Sequence, residues 1–267
     1  MSTVEDIGDY IKDNFENKYR AILPSKAYTI IRIDGRAFHS YTKRFARPFD
    51  DVLMAAMDHA AEELLKQVGG AICAYVQSDE ISILASDFGK ESTEAWFGGN
   101  LQKIVSVSAS IATNAFNKKL LGSSDVSDFE FASFDARVLS MTEDSDVLYY
   151  FKWRQADTMR NSVRSVANVH FSHKSLQNKT VKDMLGMLQE RGVPWETFAD
   201  KYRFGRFFYK DTVVEDITYT DKRTGEQRVE LGVERRRIAV DARVFSDVSD
   251  LMLPGKPEGE GAVCLWI

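Results

Sequence analysis

Two stretches decide the fold: Tyr28-Thr29-Ile30-Ile31-Arg32-Ile33-Asp34-Gly35-Arg36-Ala37-Phe38-His39 and Ala74-Tyr75-Val76-Gln77-Ser78-Asp79-Glu80-Ile81-Ser82-Ile83-Leu84. Each is a β-branched or aromatic run with an acid beside small or polar residues. Apolar runs of this length, bounded by turn residues, predict buried strands. A carboxylate at the end of a buried strand sits at the rim of a sheet. Two such ends brought together make a hard oxygen-ligand site suited to magnesium and phosphate chemistry.

Working outward, the first strand covers about Ala27 to Asp34, after Pro24, and Gly35 permits a sharp departure of the backbone. Ahead of it, Val4 to Tyr19 spaces Ile7, Tyr10, Ile11 and Phe15 as a helix does. Residues 40–49 predict a loop or partial helix. Asp50 or Asp51 reads as the N-cap of a helix that Gly69-Gly70 ends. The second strand is Ala71 to Tyr75, the third Ile81 to Ala85, with Gln77 to Glu80 as the turn between them. A long helix follows from about Glu94 to Lys119, in which Ile104, Val105, Ala109 and Ala112 form a core stripe. Gly122 to Asp128 is a polar loop and Phe129 to Val138 the fourth strand.

The order β-α-β-β-α-β is the ferredoxin-like arrangement, which nucleotide polymerases and cyclases use as a palm. In that topology the first and third strands are antiparallel neighbours. Asp34 therefore meets Asp79-Glu80, although they are far apart in sequence. The fold class expected is α+β, a palm-like core over residues 27–140. It is preceded by an N-terminal helix (1–26) and followed by a helical and β-meander extension (141–267). That extension holds helices over Val147 to Gln177 and Thr180 to Arg191, and a short one at Trp195. Strands are expected at Thr212 to Tyr219, Gln227 to Val233 and Arg235 to Val240, then an extended arm from Leu253 to Gly261.

Asp34 and Asp79 are the expected metal ligands, with the Gly35 carbonyl as a further one. Backbone N–H groups from Arg36 to His39 are suited to a triphosphate, with hydrogen bonds from His39 and Ser78. Glu80 is a third candidate, although strict alternation turns it away from Asp79. Asp-Gly after a strand is also an ordinary turn, and only the two acids in this topology make a site. His170 and His173, three apart, lack a third ligand and read as a polar helix face, as does His59. Arg160 and Arg164 share a helix face that is either solvated or phosphate-binding. The Lys201 to Lys210 segment interleaves basic and aromatic residues. It suits either RNA, with cations on the backbone and rings on bases, or a core in which the rings are buried.

The chain is 267 residues long and 44% hydrophobic, enough for one large domain or two small ones. A net charge of −5 argues against general coating of nucleic acid, though not against a local basic face. The two cysteines, Cys73 and Cys264, lack metal-ligand spacing and read as reduced thiols of a cytoplasmic compartment. The first residues are acidic rather than signal-like, and no apolar run approaches the ~20 residues of a membrane span.

Further matching stretches are Arg47-Pro48-Phe49-Asp50, Phe134-Asp135-Ala136-Arg137-Val138 and Trp153-Arg154-Gln155-Ala156-Asp157. With Arg32 to His39 and Gln77 to Glu80, taken in this order, the chain resembles the tRNA(His) guanylyltransferase superfamily of 3′-to-5′ nucleotide-adding enzymes. The resemblance implies two magnesium ions, a homotetramer, tRNA as substrate, and ATP, GTP and other nucleoside triphosphates. It puts metal positions on Asp34, Gly35 and Asp79. It puts the nucleotide-phosphate loop on Asp34, Gly35, Arg36, Ala37, Phe38 and His39, with Ser78 and Asp79. Arg47 matches a basic residue implicated in activating the tRNA 5′ end, and Arg137 and Asn161 match further positions.

Where eukaryotic guanylyltransferases carry His-Ile-Asn-Asn-Leu-Tyr-Asn, this chain reads Met159-Arg160-Asn161-Ser162-Val163-Arg164-Ser165. That departure resembles the guanylyltransferase-like branch, which fills in 5′ nucleotides against a template. The expected activity is templated repair or editing of tRNA 5′ ends. The alternatives are addition of G to tRNA(His), a nucleotidyl cyclase-like enzyme and a non-catalytic RNA-binding module.

Overall fold

The computed structural model describes residues 4–90, 92–123 and 130–254. Most of the expected Gly122 to Asp128 loop, nearly all of the expected C-terminal arm, and Cys264 lie outside the described residues. α1 (Val4–Ile11) is followed by β1 (Tyr28–Gly35), the short α2 (Phe38–Tyr41) and α3 (Asp51–Gln67). Then come β2 (Ala71–Gln77), β3 (Glu80–Ser86), α4 (Leu101–Leu121) and β4 (Phe134–Met141). The remainder is α5 (Asp144–His170), α6 (His173–Leu176), α7 (Val181–Glu190), α8 (Asp200–Arg203), β5 (Arg206–Thr220) and β6 (Gln227–Asp241).

The fold is α+β, with one six-stranded antiparallel sheet in the order β4-β1-β3-β2-β5-β6. β1 lies between β3 and β4, as the ferredoxin-like order requires. Its register sets Asp34 opposite Glu80 on one side and Asp135 on the other. Strand side chains alternate between faces. Ile31, Ile33, Ile81, Ile83 and Val76 accordingly enter one core with α3 and α4, where Ala60, Leu64, Ile104 and Phe116 are buried. Tyr28, Ile30, Tyr75 and Leu84 enter a second core with Val147 and Phe151 of α5. Both faces are covered, so each large apolar side chain so buried contributes about 1.5–3 kcal/mol. Cys73 belongs to the second core, and burial pushes its thiol pKa well up.

Helix ends follow local chemistry. Asp50 caps α3 by accepting from the Leu53 N–H at 2.8 Å. Gly70, at φ +74°, is required where a Cβ would stand 2.2 Å from the Ser86 carbonyl oxygen. α4 begins at Leu101 rather than Glu94, because Phe97 and Gly98 are left-handed and Asn100 then caps the helix through the Lys103 N–H. β4 runs from Phe134 to Met141, paired residue for residue with β1; of the expected strand 129–138, Phe129 lies outside the described residues and 130–133 are not strand. The stretch before β4 is held instead by Asn117, which exchanges two side-chain hydrogen bonds of 2.9 Å with the Ala132 backbone.

The expected helix over Val147 to Gln177 is two, α5 and α6. His170 ends the first and His173 opens the second, so they do not share a helix face. The expected three-stranded meander is a single two-stranded ribbon. The expected break at Glu234 is absent, since Glu234 pairs with Val214, and the irregularity is instead a bulge at Gly232, φ +68°, whose N–H donates to Asp216 Oδ1 at 2.9 Å. Among the described residues no helix is long and apolar enough to cross a membrane.

Candidate active site

The site begins where β1 ends. Gly35 is needed there because a Cβ would stand 2.2 Å from the Phe38 ring, which is buried under the loop with Phe116 and Phe134. Ala37 then takes a left-handed conformation, φ +56°, and opens α2. The first intrahelical bond is Ser40 N–H to the Ala37 carbonyl, 3.0 Å. The amides of Ala37, Phe38 and His39 therefore precede the helical hydrogen-bond ladder, as the first donors of any helix do. The Arg36 amide is already bonded, to the Ser133 carbonyl at 2.9 Å.

The turn between β2 and β3 meets this loop. The Gly35 N–H donates to the Asp79 carbonyl at 3.0 Å, which draws the two acidic residues to one edge of the sheet. Burial pushes the Asp79 carboxyl above its usual range and the Asp34 charge adds to this, against a hydrogen bond from Ser78. Arg137 lies 3.8 Å from Asp34 Oδ2 and 3.7 Å from Asp135. Two neighbouring carboxylates that repel each other are a donor set that fits magnesium, a cation that keeps waters and needs one or two carboxylates plus phosphate oxygens. Among the described residues no cluster of three or more His, Cys, Asp or Glu is poised as an all-protein metal cage.

Glu80 is not part of that pair. It is buried, with Arg154 Nε and Nη2 each donating to a different carboxylate oxygen at 2.7 Å. It faces α5, and both its oxygens are occupied. Arg154 gains in turn: burial works against its cation, and Glu80 together with Asp157 more than offsets that, holding its pKa above the ordinary arginine value.

Beside the acidic edge lies a cavity of about 320 Å³. His39, Arg47, Ser78 and Asn161, dispersed in sequence, all line it. Asn161, Ser165 and Asn168 form one stripe of α5, at spacings of four and three that mark a single helix face. Lys201, Tyr202 and Arg206 line it as well. Arg206 is buried, is paired with Asp58, and keeps a buried Nη2 with no partner among the described residues. Buried donors of this kind are rare unless something binds them.

The Lys201 to Lys210 segment thus splits. Lys201 and Arg206 reach the cavity, and Tyr202 stacks on Phe49 at a ring separation of 4.5 Å. Phe207 and Phe208 are core residues and offer no face to a base. Arg160 and Arg164 are exposed, and Arg160 pairs with Asp157 at 2.8 Å. Sequence reasoning missed the tie between Glu80 and Arg154. It also missed the cavity roles of Ser165, Asn168 and Arg206, of which only the polar stripe on α5 was visible as a pattern.

The comparisons with known proteins give first the class, a nucleotidyltransferase. A bacterial tRNA(His) guanylyltransferase (Thg1)-like protein solved in complex with ATP is 41% identical, with a TM-score of 0.73 over 77% of this chain and 89% of that one. A bacterial Thg1-like protein in complex with GTP is 35% identical, with a TM-score of 0.71 over 89% and 92%. A probable tRNA(His) guanylyltransferase of Dictyostelium discoideum is 32% identical over 58% of this chain and 59% of its own length. The family model described as tRNAHis guanylyltransferase (Thg1) matches residues 8–142. The chain belongs to the Thg1 family and is a guanylyltransferase-like nucleotidyltransferase.

Proposed function

We propose that the protein adds nucleotides in the 3′-to-5′ direction to the 5′ end of tRNA, guided by the opposing strand, after activating that end with ATP or GTP. The observation that carries this is the meeting of Asp34 and Asp79 at one sheet edge, beside a polar cavity lined by His39, Arg47, Ser78 and Asn161. Residues 27–140 serve as the palm. The C-terminal helices and ribbon contact tRNA and other subunits of a tetramer.

Asp34, Asp79 and the Gly35 carbonyl would hold magnesium, which when bound neutralises phosphate charge and lowers the pKa of an attacking hydroxyl. The amides of Ala37 to His39 orient the triphosphate. Arg47 and the unpartnered Nη2 of Arg206 offer charge-assisted donors to phosphate oxygens. His39 and Ser78 supply shorter-range hydrogen bonds. The chemistry balances as two displacements. A 5′-monophosphate oxygen attacks the α-phosphorus of ATP and releases pyrophosphate. The 3′-hydroxyl of the incoming triphosphate then attacks the 5′ phosphate and releases AMP.

The test is extension of a 5′-monophosphorylated tRNA lacking its first nucleotide, with ATP, magnesium and each nucleoside triphosphate in turn. Addition of the complementary nucleotide alone is expected. Addition of G whatever the opposing base would establish the guanylyltransferase activity instead. Binding of RNA with no product would leave a binding module.

A further inference from the structure

We propose that Glu80 and Arg154 form a positioning pair, which sets the Ser78–Asp79 turn and thereby the place of Asp79 opposite Asp34. The proposal rests on the site described above. It assigns Glu80 no contact with metal or substrate.

Four observations carry it. The Glu80–Arg154 contact joins residues 74 apart through a two-pronged fork, 2.7 Å on each prong, and both side chains are buried. The other foot of the same turn is tied to the same helix. Gln77 Nε2 donates to Glu80 Oε1 at 3.2 Å, and Gln77 Oε1 accepts from the Thr158 hydroxyl at 2.6 Å. Arg154 and Thr158 are one helical turn apart on α5, with the Thr158 hydroxyl oxygen 3.0 Å from the Arg154 carbonyl oxygen, so both feet are held from one turn of the helix. Between the two feet Ser78 holds φ +45°, a conformation a non-glycine residue keeps only where its surroundings impose it.

The surroundings of Arg154 preserve the fork. The Trp153 ring covers the guanidinium at 4.4 Å, and Asp157 accepts from Nη2 at 3.1 Å. A buried ion pair is a weak source of stability compared with apolar packing of the same volume. What this one supplies is geometry: a planar fork admits a narrow range of carboxylate orientations. Turning Glu80 outward toward Asp34 would break both prongs and leave a buried cation.

The experiment compares Glu80→Gln, Arg154→Gln and the double variant, in which two amides can bridge without charge. Three quantities are read: kcat and KM for nucleotide addition, Mn2+ affinity by electron paramagnetic resonance, and hydrogen exchange of the Ser78 to Glu80 amides. Each single substitution should lower kcat by about 10- to 100-fold, as loss of a partner behind a metal ligand does, with KM for the triphosphate little changed. Mn2+ affinity should fall and the turn amides should exchange faster. The double variant should be no worse than the poorer single and should recover part of all three, because residues that act as a unit are not additive.

Losses that multiply in the double variant overturn the proposal, as do single variants indistinguishable from wild type. Loss of Mn2+ binding on Glu80→Gln in both backgrounds overturns it too, since that is the signature of a ligand. If a Gln variant does not fold, Arg154→Lys replaces it. That change keeps the buried charge but loses the fork, and unchanged kcat and turn exchange would again refute the pair. Failure of the site itself shows separately, as Mn2+ binding and transfer retained in Asp79→Ala. Hydrogen exchange in the turn still reports on the pair in that case.

Discussion

The protein contains two antiparallel hairpins built to opposite ends. β2 and β3 are buried along almost their whole length and have strand neighbours on both sides. β5 and β6 are fifteen residues each, yet only Arg206 to Tyr209 pair with β2, so among the described residues the ribbon beyond Lys210 has no strand neighbour but itself. The turns differ in the same sense. The ribbon places its left-handed conformation on Gly225, with Asp221 closing the loop through ordinary turn hydrogen bonds. The inner hairpin places it on Ser78, where α5 holds both feet of the turn. Local chemistry suffices for a turn that only connects. A turn that aims a carboxylate is held by tertiary contacts.

The largest effect that can break this comparison is on catalysis. Asp79→Ala and Asp34→Ala should each reduce nucleotide addition by about 10³-fold or more, through loss of several kcal/mol of charge stabilisation in the transition state. Thermal unfolding should remain cooperative, because both side chains lie at the sheet rim rather than in a core. Single-turnover assays with each step isolated provide the check, and wild-type turnover in either variant would dismiss the site.

The next effect is on stability and contrasts the hairpins directly. Ile83→Ala, in the fully covered strand, should cost about 2–5 kcal/mol, because Ile83 is completely buried in the core with α3 and α4. Leu231→Ala, 73% exposed on the ribbon, should stay within about 0.5 kcal/mol. Denaturant titration of both measures the difference. Equal losses would mean that the ribbon face is covered in solution, as it would be in a tetramer. Gly35→Ala sharpens the comparison between the two strand ends. The added methyl meets the Phe38 ring and should cost about 1–3 kcal/mol, with a rise in KM for the nucleoside triphosphate as the loop shifts.

What was legible in the sequence follows the same division. The β1 and β3 runs, with their apolar alternation and flanking turn residues, gave the strand order, and that order alone joined Asp34 to the turn at Asp79. Short-range signals also located the Asp50 cap and the end of α3. The Glu80–Arg154 fork was not legible, because nothing local pairs two residues 74 positions apart. Glu80 looked like a ligand for that reason. The ribbon differs in another way: the sequence reading divides it at Glu234, whereas Glu234 pairs with Val214 in one continuous strand and the irregularity is a bulge at Gly232, inside an expected strand. The start of α4 was missed because Phe97, not a glycine, is one of the residues that turn left-handed before Asn100.

The smallest predicted effect tests whether the ribbon is energetically separate. A methyl group added at Gly225 would meet only open space, but the residue sits at φ +74°. Gly225→Ala should therefore cost backbone strain alone, about 1–2 kcal/mol for a residue in the left-handed region. Because among the described residues Asp211 to Thr220 pair only with β6, that cost should be met by local fraying and not by the whole fold. Amide exchange over Asp221 to Gln227 should accelerate several-fold, while the unfolding midpoint and the exchange of β2 and β3 stay unchanged. A lowered global midpoint would show instead that the ribbon unfolds together with the sheet. The clamp on the Ser78–Asp79 turn would then be sensitive to events at the far end of β5.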